Sequence, residues 1–229
     1  LTPGYDSLPR PGSQLDFGQV TVGQVTTATL TVSSRGLLAV QVYTPTITGL
    51  NPADFALAIP APGAFPVALS GSLDFRLRCQ PSVSGERLAT LSVPTNDPNQ
   101  PVVTYRLHCV GSSLIFVSNA ANQGSGSLRA ALVLAQTGDV ISFTVQTPVT
   151  IPVVSLLPPL RKGVKLAGIC NQVNGANITL DGHNAPPGTP GLTLEGDNSV
   201  SGIRLAGFRG PALRNSGAGN TLKCVSISP

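Results

Sequence analysis

The sequence predicts an all-β chain in two parts, a sandwich of short antiparallel strands and then a short parallel β-solenoid, with one helix opening the second part. Three observations predict this. Only 10% of the 229 residues are charged, while Gly (25) and Pro (21) together make about a fifth of the chain, a turn-rich β composition. Alternation of apolar and polar residues with period two recurs to about residue 110. Beyond that point a short apolar motif closed by Gly repeats irregularly.

In the first part, Leu15-Asp16-Phe17-Gly18 is followed by Val20, Val22 and a turn at Gly23. Thr27 to Val32 then sets Ala28, Leu30 and Val32 against Thr27, Thr29 and Thr31, the pattern of a strand with one buried face. Further strands are expected at Val40 to Tyr43, Phe65 to Leu69, Leu73 to Cys79, Leu88 to Val93 and Val102 to Val110. Asn51-Pro52, Pro60 to Gly63, Ser84-Gly85 and Asn96-Asp97-Pro98 read as turns between them. About seven short strands in this length imply a β-sandwich.

The boundary is expected at Gly111-Ser112-Ser113, giving units 1–111 and 112–229, and so short a linker predicts docked rather than tethered modules. Helical periodicity appears at 127–136, where Leu128, Ala131, Leu132 and Ala135 fall at i, i+3, i+4 and i+7 and Ser125 or Ser127 supplies a cap. Short strands follow at Val140 to Phe143, Val149 to Ile151, Val164 to Leu166, Ile178 to Leu180, Leu192 to Leu194, Ile203 to Leu205 and Leu222 to Ile227. Four of them echo one another as apolar, polar, apolar, small or acidic, Gly: Val164 to Gly168, Ile178 to Gly182, Leu192 to Gly196 and Ile203 to Gly207. Such repetition predicts stacked coils with a narrow core.

Two resemblances sharpen these expectations. Leu15 to Val20, Val22-Gly23, Thr29 to Val32, Ile47-Thr48-Gly49, Ala53-Asp54-Phe55, Ser84 to Leu91, Asn96-Asp97-Pro98 and Leu107 to Gly111 together resemble the choice-of-anchor D repeat, an immunoglobulin-like domain of the ASPM, SPD-2 and hydin type. Ser33 to Gly36 departs from its Asn-x-Gly turn. In the second part Phe116 to Asn119, Gly124 to Ala131, Gly138 to Phe143, Ile178 to Gly182 and Gly202 to Leu205 resemble the start of bacterial surface proteins of the CSLREA type. That resemblance implies a right-handed parallel β-helix, makes the helix a cap on its first coil, and implies a secreted or surface-attached bacterial or archaeal protein. Gly126 stands where the family carries its leading Cys, so no cystine is expected there.

The candidate chemistry is sparse. Cys79 and Cys109 lie near the ends of strands in the same expected sandwich, where a disulfide would join neighbouring or facing strands. Cys170 with Cys224 is the simplest completion, set against a separation of more than one coil. Without a Cys-x-x-Cys, and with only His108 and His183 to assist, a zinc site is not expected. His108 reads as an exposed strand residue. Asp181 with His183 suggests acid-base chemistry but lacks a nucleophile. Asp181 and Glu195 share a place in the echo, so they are expected to stack, and with Asp197 they are the weak calcium candidates; a metal is not expected. Gly124 to Gly126 and Gly217 to Gly219 read as turns without a phosphate-loop lysine, and the Asn177-Ile178-Thr179 sequon as an Asn-rich turn.

Charge excludes further classes. The net +4 arises from 14 basic and 10 acidic residues scattered singly, with no nucleic-acid footprint. No apolar run reaches the roughly 18 residues of a membrane-spanning helix. A chain that starts at Leu1 and contains no Met predicts a removed leader or an excised fragment. Four cysteines point to an oxidising compartment. The expected function is therefore that of a non-catalytic, cofactor-free extracellular structural or adhesive protein. Its expected partners are other surface proteins or copies of itself, added head to tail into a filament where an open coil needs covering. The alternative is the front of a carbohydrate-binding or carbohydrate-active surface enzyme, with a glycan ligand, although the absence of Trp removes the usual stacking platform.

Overall fold

A computed structural model describes residues 2–58, 64–171 and 175–229, so the turn expected at Pro60 to Gly63 lies outside the described residues. The chain divides into two compact units, Leu1–Gly111 and Ser112–Pro229, and is mostly β.

The strands of the first unit are β1 (Tyr5–Leu8), β2 (Gln14–Thr21), β3 (Thr26–Ser34), β4 (Val40–Val42), β5 (Thr46–Thr48), β6 (Phe55–Ala58), β7 (Phe65–Val67), β8 (Ser72–Cys79), β9 (Gly85–Pro94) and β10 (Val102–Ser112). They form a β-sandwich, with one sheet ordered β1-β3-β8-β6, a second ordered β2-β10-β9-β5, and a ribbon of β4 with β7. Alternation fixes register. In β3 against β8, Leu30 faces Phe75 and Val32 faces Leu73, so Leu30, Val32, Phe75 and Leu77 turn inward together and are fully buried. Leu91 and Val93 of β9 and Val103 to Cys109 of β10 supply the other half of that core. Each fully buried Leu or Phe contributes roughly 1.5–3 kcal/mol. Three strands were not legible in the sequence, β1, β5 and β6, each only three or four residues long.

The second unit opens with β11 (Leu114–Val117) and α1 (Leu128–Leu134). Ser127 caps α1, its hydroxyl accepting from the Ala130 N–H, and Leu128, Ala131 and Leu132 are the buried stripe. Then come β12 (Val140–Phe143), β13 (Val149–Pro152), β14 (Lys165–Ala167), β15 (Cys170–Asn171), β16 (Gly175–Ala176), β17 (Ile178–Asp181), β18 (Leu192–Leu194), β19 (Ser199–Ser201), β20 (Ile203–Ala206), β21 (Leu213–Asn215), β22 (Thr221–Lys223) and β23 (Ser226–Ser228).

These strands form several parallel sheets, ordered β11-β12-β14-β19-β22, β13-β17-β20-β23 and β18-β21, with Leu160 bridging in parallel to Leu194 beside β18. From β17 onward the chain visits the three sheets in turn. Sheet neighbours are separated by similar lengths of chain: Leu114 pairs with Val140, Val140 with Lys165, Lys165 with Ser199 and Ser199 with Thr221, which are steps of 26, 25, 34 and 22 residues. Inward side chains stack in files, Ile141 on Leu166 on Val200 in one sheet and Ile151 on Leu180 on Leu205 in another.

The structure sharpens two of these readings. The four echoing strands are spread over three sheets, since Val164 to Leu166 leads into β14, Ile178 and Ile203 start β17 and β20, and Leu192 starts β18. The single strand expected over Leu222 to Ile227 is two strands, β22 and β23, in different sheets. Cys224 lies between them with φ of 54°, the left-handed conformation that ends one strand and redirects the chain.

Candidate functional site

Chemistry-bearing side chains in this protein collect at the corners between strands. The residue just before each strand of the five-stranded sheet is Ser113, Asp139, Val164, Asn198 or Asn220. Asp139 is 1% exposed, yet each carboxylate oxygen has a donor: Oδ1 accepts from the Ser113 N–H at 2.7 Å and Oδ2 from the Gln136 N–H at 2.8 Å. Asn198, equally buried, donates through Nδ2 to the carbonyls of Arg161 (2.6 Å) and Val164 (3.0 Å) and accepts at Oδ1 from the Gly196 N–H (3.1 Å). Its own N–H donates to Asn220 Oδ1 at 2.9 Å. Each side chain thus fastens one turn of chain to its neighbour and satisfies backbone groups that strands leave unpaired at a bend. Val164 interrupts this polar file. Sequence reasoning missed it, although Gly138-Asp139, Gly196-Asp197-Asn198 and Gly219-Asn220, each just ahead of a strand, carry the signal.

Both expected cysteine pairs are disulfides. Cys79 ends β8 in one sheet of the sandwich and Cys109 lies on β10 in the other, so the bond joins facing sheets across a Cα separation of 6.7 Å. Cys170 and Cys224 are 54 residues apart in sequence and 6.0 Å apart at Cα. The obstacle expected from that separation is removed by β15 and β16, a small antiparallel excursion after β14 in which Cys170 pairs with Ala176. The excursion reaches across Gly202, where an added Cβ would sit 2.6 Å from the backbone of Gly168 and Ile169. Gly202 also has φ of 62°, so its lack of a side chain serves both the bend and the crossing. The bond therefore ties the turn after β14 to the turn after β22, passing the turn after β19 between them.

The acidic candidates do not converge. Asp181 lies at the end of β17, in register with Pro152 and Ala206, whereas Glu195 follows β18 in a different sheet, so the expected stack is corrected. Asp197 is exposed and pairs with Lys162 at 3.4 Å. Among the described residues no three His, Cys, Asp or Glu side chains are placed to hold a metal ion. Asp181 instead accepts from the His183 backbone N–H at 3.1 Å and pairs with His183 Nδ1 at 2.5 Å. These bonds from His183, side chain first, hold the Asp181 carboxyl below its usual range.

Other titratable groups serve the sandwich. His108 is half-buried rather than exposed, its Nδ1 3.0 Å from Asp16 Oδ1 on β2. Asp16 is held below the usual range chiefly by the Gly18 N–H, with His108 assisting. Asp54 is buried between the Ser82 N–H (3.0 Å) and Arg87 (3.6 Å). The hydroxyls of Tyr5, Tyr105 and Ser7 form a chain, with Tyr5 to Tyr105 at 2.7 Å and Ser7 to Tyr105 at 2.5 Å. Burial, and then the bond to Tyr105, pushes the Tyr5 phenol far upward. The Tyr5, Tyr105 and Ser7 hydroxyls were not singled out from the sequence, because nothing local marks Tyr5 as a partner of a residue 100 positions away.

No protein-family model and no curated protein matches the sequence. Solved structures do resemble it at low identity. The PapD-like domain 7 of human CEP192 is 13% identical, with 48% of this chain and 86% of that one covered at a TM-score of 0.37. A protein of unknown function from Porphyromonas gingivalis W83 is 19% identical over 48% of this chain and 47% of that one, at 0.39. The MSP-domain-like protein SSP-19 of Caenorhabditis elegans is 14% identical over 46% and 98%, at 0.32. At this distance the similarity carries no function.

Proposed function

We propose that the chain is a non-catalytic structural or adhesive part of a secreted or cell-surface protein. In this reading a choice-of-anchor D type immunoglobulin-like sandwich precedes a right-handed parallel β-helix of the CSLREA type, with α1 as the cap of its first coil. The observation that carries the reading is the use to which the reactive groups are put. Asp139, Asn198 and Asp54 are occupied by backbone or Arg87, and all four cysteines are bonded. A catalytic centre needs acid, base or nucleophilic groups left free around an unoccupied space. Asp181 and His183, the pair nearest to that description, form a tight local turn instead.

The cyclic order of the parallel sheets and the 21- to 34-residue steps between their partners support the β-helix part (Leu192 to Leu213 is the 21). Two disulfides accord with an oxidising compartment. Self-association through the strand edges of the parallel sheets belongs to the same reading. The test is to locate the protein on cells of its source by surface protease shaving, and to follow sedimentation of the purified chain over a concentration series. Surface exposure with no turnover of polysaccharide substrates is expected. Confinement to the reducing cytoplasm sinks the reading, and a strictly monomeric chain removes its self-association.

A further inference from the structure

On the outer face of the sandwich's second sheet lies a shallow cleft of about 410 Å³, lined by Gln14, Gly49, Leu50, Leu88, Thr90 and Arg106, with Ala89 at its floor. Its wall is built rather than incidental. The Asn51 side chain accepts from the Leu88 N–H at 3.0 Å, and the Asn51 N–H donates to the Leu88 carbonyl at 2.9 Å. This pair of bonds sutures the turn after β5 onto β9. Gly49, with φ of 117°, brings the backbone so close that a Cβ would stand 3.2 Å from Ala89 Cα. Leu50 is therefore held outward on a pinned backbone, 80% exposed, beside the partly exposed Leu88. A large apolar side chain kept in solvent by such fastening is suited to an anchoring contact.

The charge in the cleft is uncompensated. Among the described residues no carboxylate pairs with Arg106, whose backbone N–H is tied to the Ser13 carbonyl. Asp16, on the adjacent strand β2, is already engaged by His108 and the Gly18 N–H. Arg106 is exposed, and its guanidinium beside the Leu50 and Leu88 side chains selects a carboxylate flanked by apolar groups, to which it offers charge-assisted, bidentate bonds. The lining residues include no aromatic ring on which a sugar could stack, which favours a peptide over a glycan.

We propose that this cleft is a docking site for a peptide segment that carries an acidic side chain next to an aliphatic one, with Arg106 taking the carboxylate and Leu50 and Leu88 taking the apolar group. The probes are acetyl-Leu-Glu-Leu-amide and its Leu-Gln-Leu counterpart, titrated into the isotope-labelled, oxidised full chain and followed by amide shifts in NMR. The Glu peptide is expected to shift Leu50, Leu88 and Arg106 with a millimolar dissociation constant, and the Gln peptide to bind about tenfold more weakly. Arg106→Gln is expected to erase that tenfold preference while leaving the rest of the spectrum unchanged. Leu50→Ser is expected to weaken the Glu peptide severalfold. Equal binding of the two peptides, shifts centred elsewhere, or no shift at the solubility limit overturns the proposal. So does oligogalacturonate that fills the cleft while the Glu peptide fails to displace it.

Discussion

In the first unit β3 runs nine residues, Thr26–Ser34, and meets β8 over eight paired positions; in the second, β14 and β19 run three residues each and meet over three. A nine-residue strand carries enough alternation to define which face is buried and which register is correct. A three-residue strand does not. Its place is set by what happens at its ends, where Asp139, Asn198, Gly202 and Cys224 fasten or redirect the chain. The sandwich therefore keeps its specifying information in strands, and the second unit keeps it in corners.

The sharpest way to break this comparison is the corner disulfide. Replacing Cys170 and Cys224 by Ser opens a 54-residue loop and is expected to destabilise the second unit by about 4 kcal/mol. Denaturant unfolding read by hydrogen exchange should show the loss in 112–229 and none in 1–111. A loss below about 1 kcal/mol would mean that the short strands hold their register unaided. Next in size is Asp139→Ala, which leaves the Ser113 and Gln136 N–H groups without their buried acceptor and is expected to lose about 3 kcal/mol. Equilibrium unfolding of the variant measures this, and a near-neutral outcome would remove the corner file from the account.

Smaller effects test the sandwich and one turn of the second unit. Tyr5→Phe removes one member of the buried hydroxyl chain and is expected to lose about 1 kcal/mol at neutral pH. Because the folded-state pKa of Tyr5 is raised above its unfolded value, its contribution is complete below the unfolded value near 10.0 and falls as pH rises beyond it. Wild type should therefore lose stability more steeply than Tyr5→Phe in alkaline unfolding curves, and parallel curves would refute the assignment. The smallest effect is expected at Asp181. Its depressed pKa gives a contribution present above the ordinary carboxylate value and lost as pH falls through the folded one. His183→Gln should raise the Asp181 titration midpoint seen by carboxyl NMR without a measurable change in melting temperature.

Legibility in the sequence follows the same division. β3, β8, β9 and β10 could be read because alternation continued for eight or more residues in each. The Ser127-capped helix was readable from its i, i+3, i+4, i+7 stripe, and ends at Leu134 because Ala135 already leaves the helical conformation. β19 and β21 passed unseen, since Ser199-Val200-Ser201 and Leu213-Arg214-Asn215 contain a single apolar residue each. The echo was real as a local motif, yet it could not say which sheet each copy joins. That is decided by the chain length between strands, and the length varies by a dozen residues from one step to the next. The Arg106 cleft was invisible for a related reason: Gly49, Leu50 and Arg106 are joined only by the sheet.

The bond between Cys170 and Cys224 also has a mechanical meaning. Tension applied to the two ends of the chain enters at one cysteine and leaves at the other across 6.0 Å. The stretch between them, a sequence separation of 54 and on the order of 180 Å when fully drawn out, is shielded from that load. Such a segment behaves as an inextensible link while oxidised and as a length reserve once reduced, so the redox state of its surroundings sets how far the protein can be pulled.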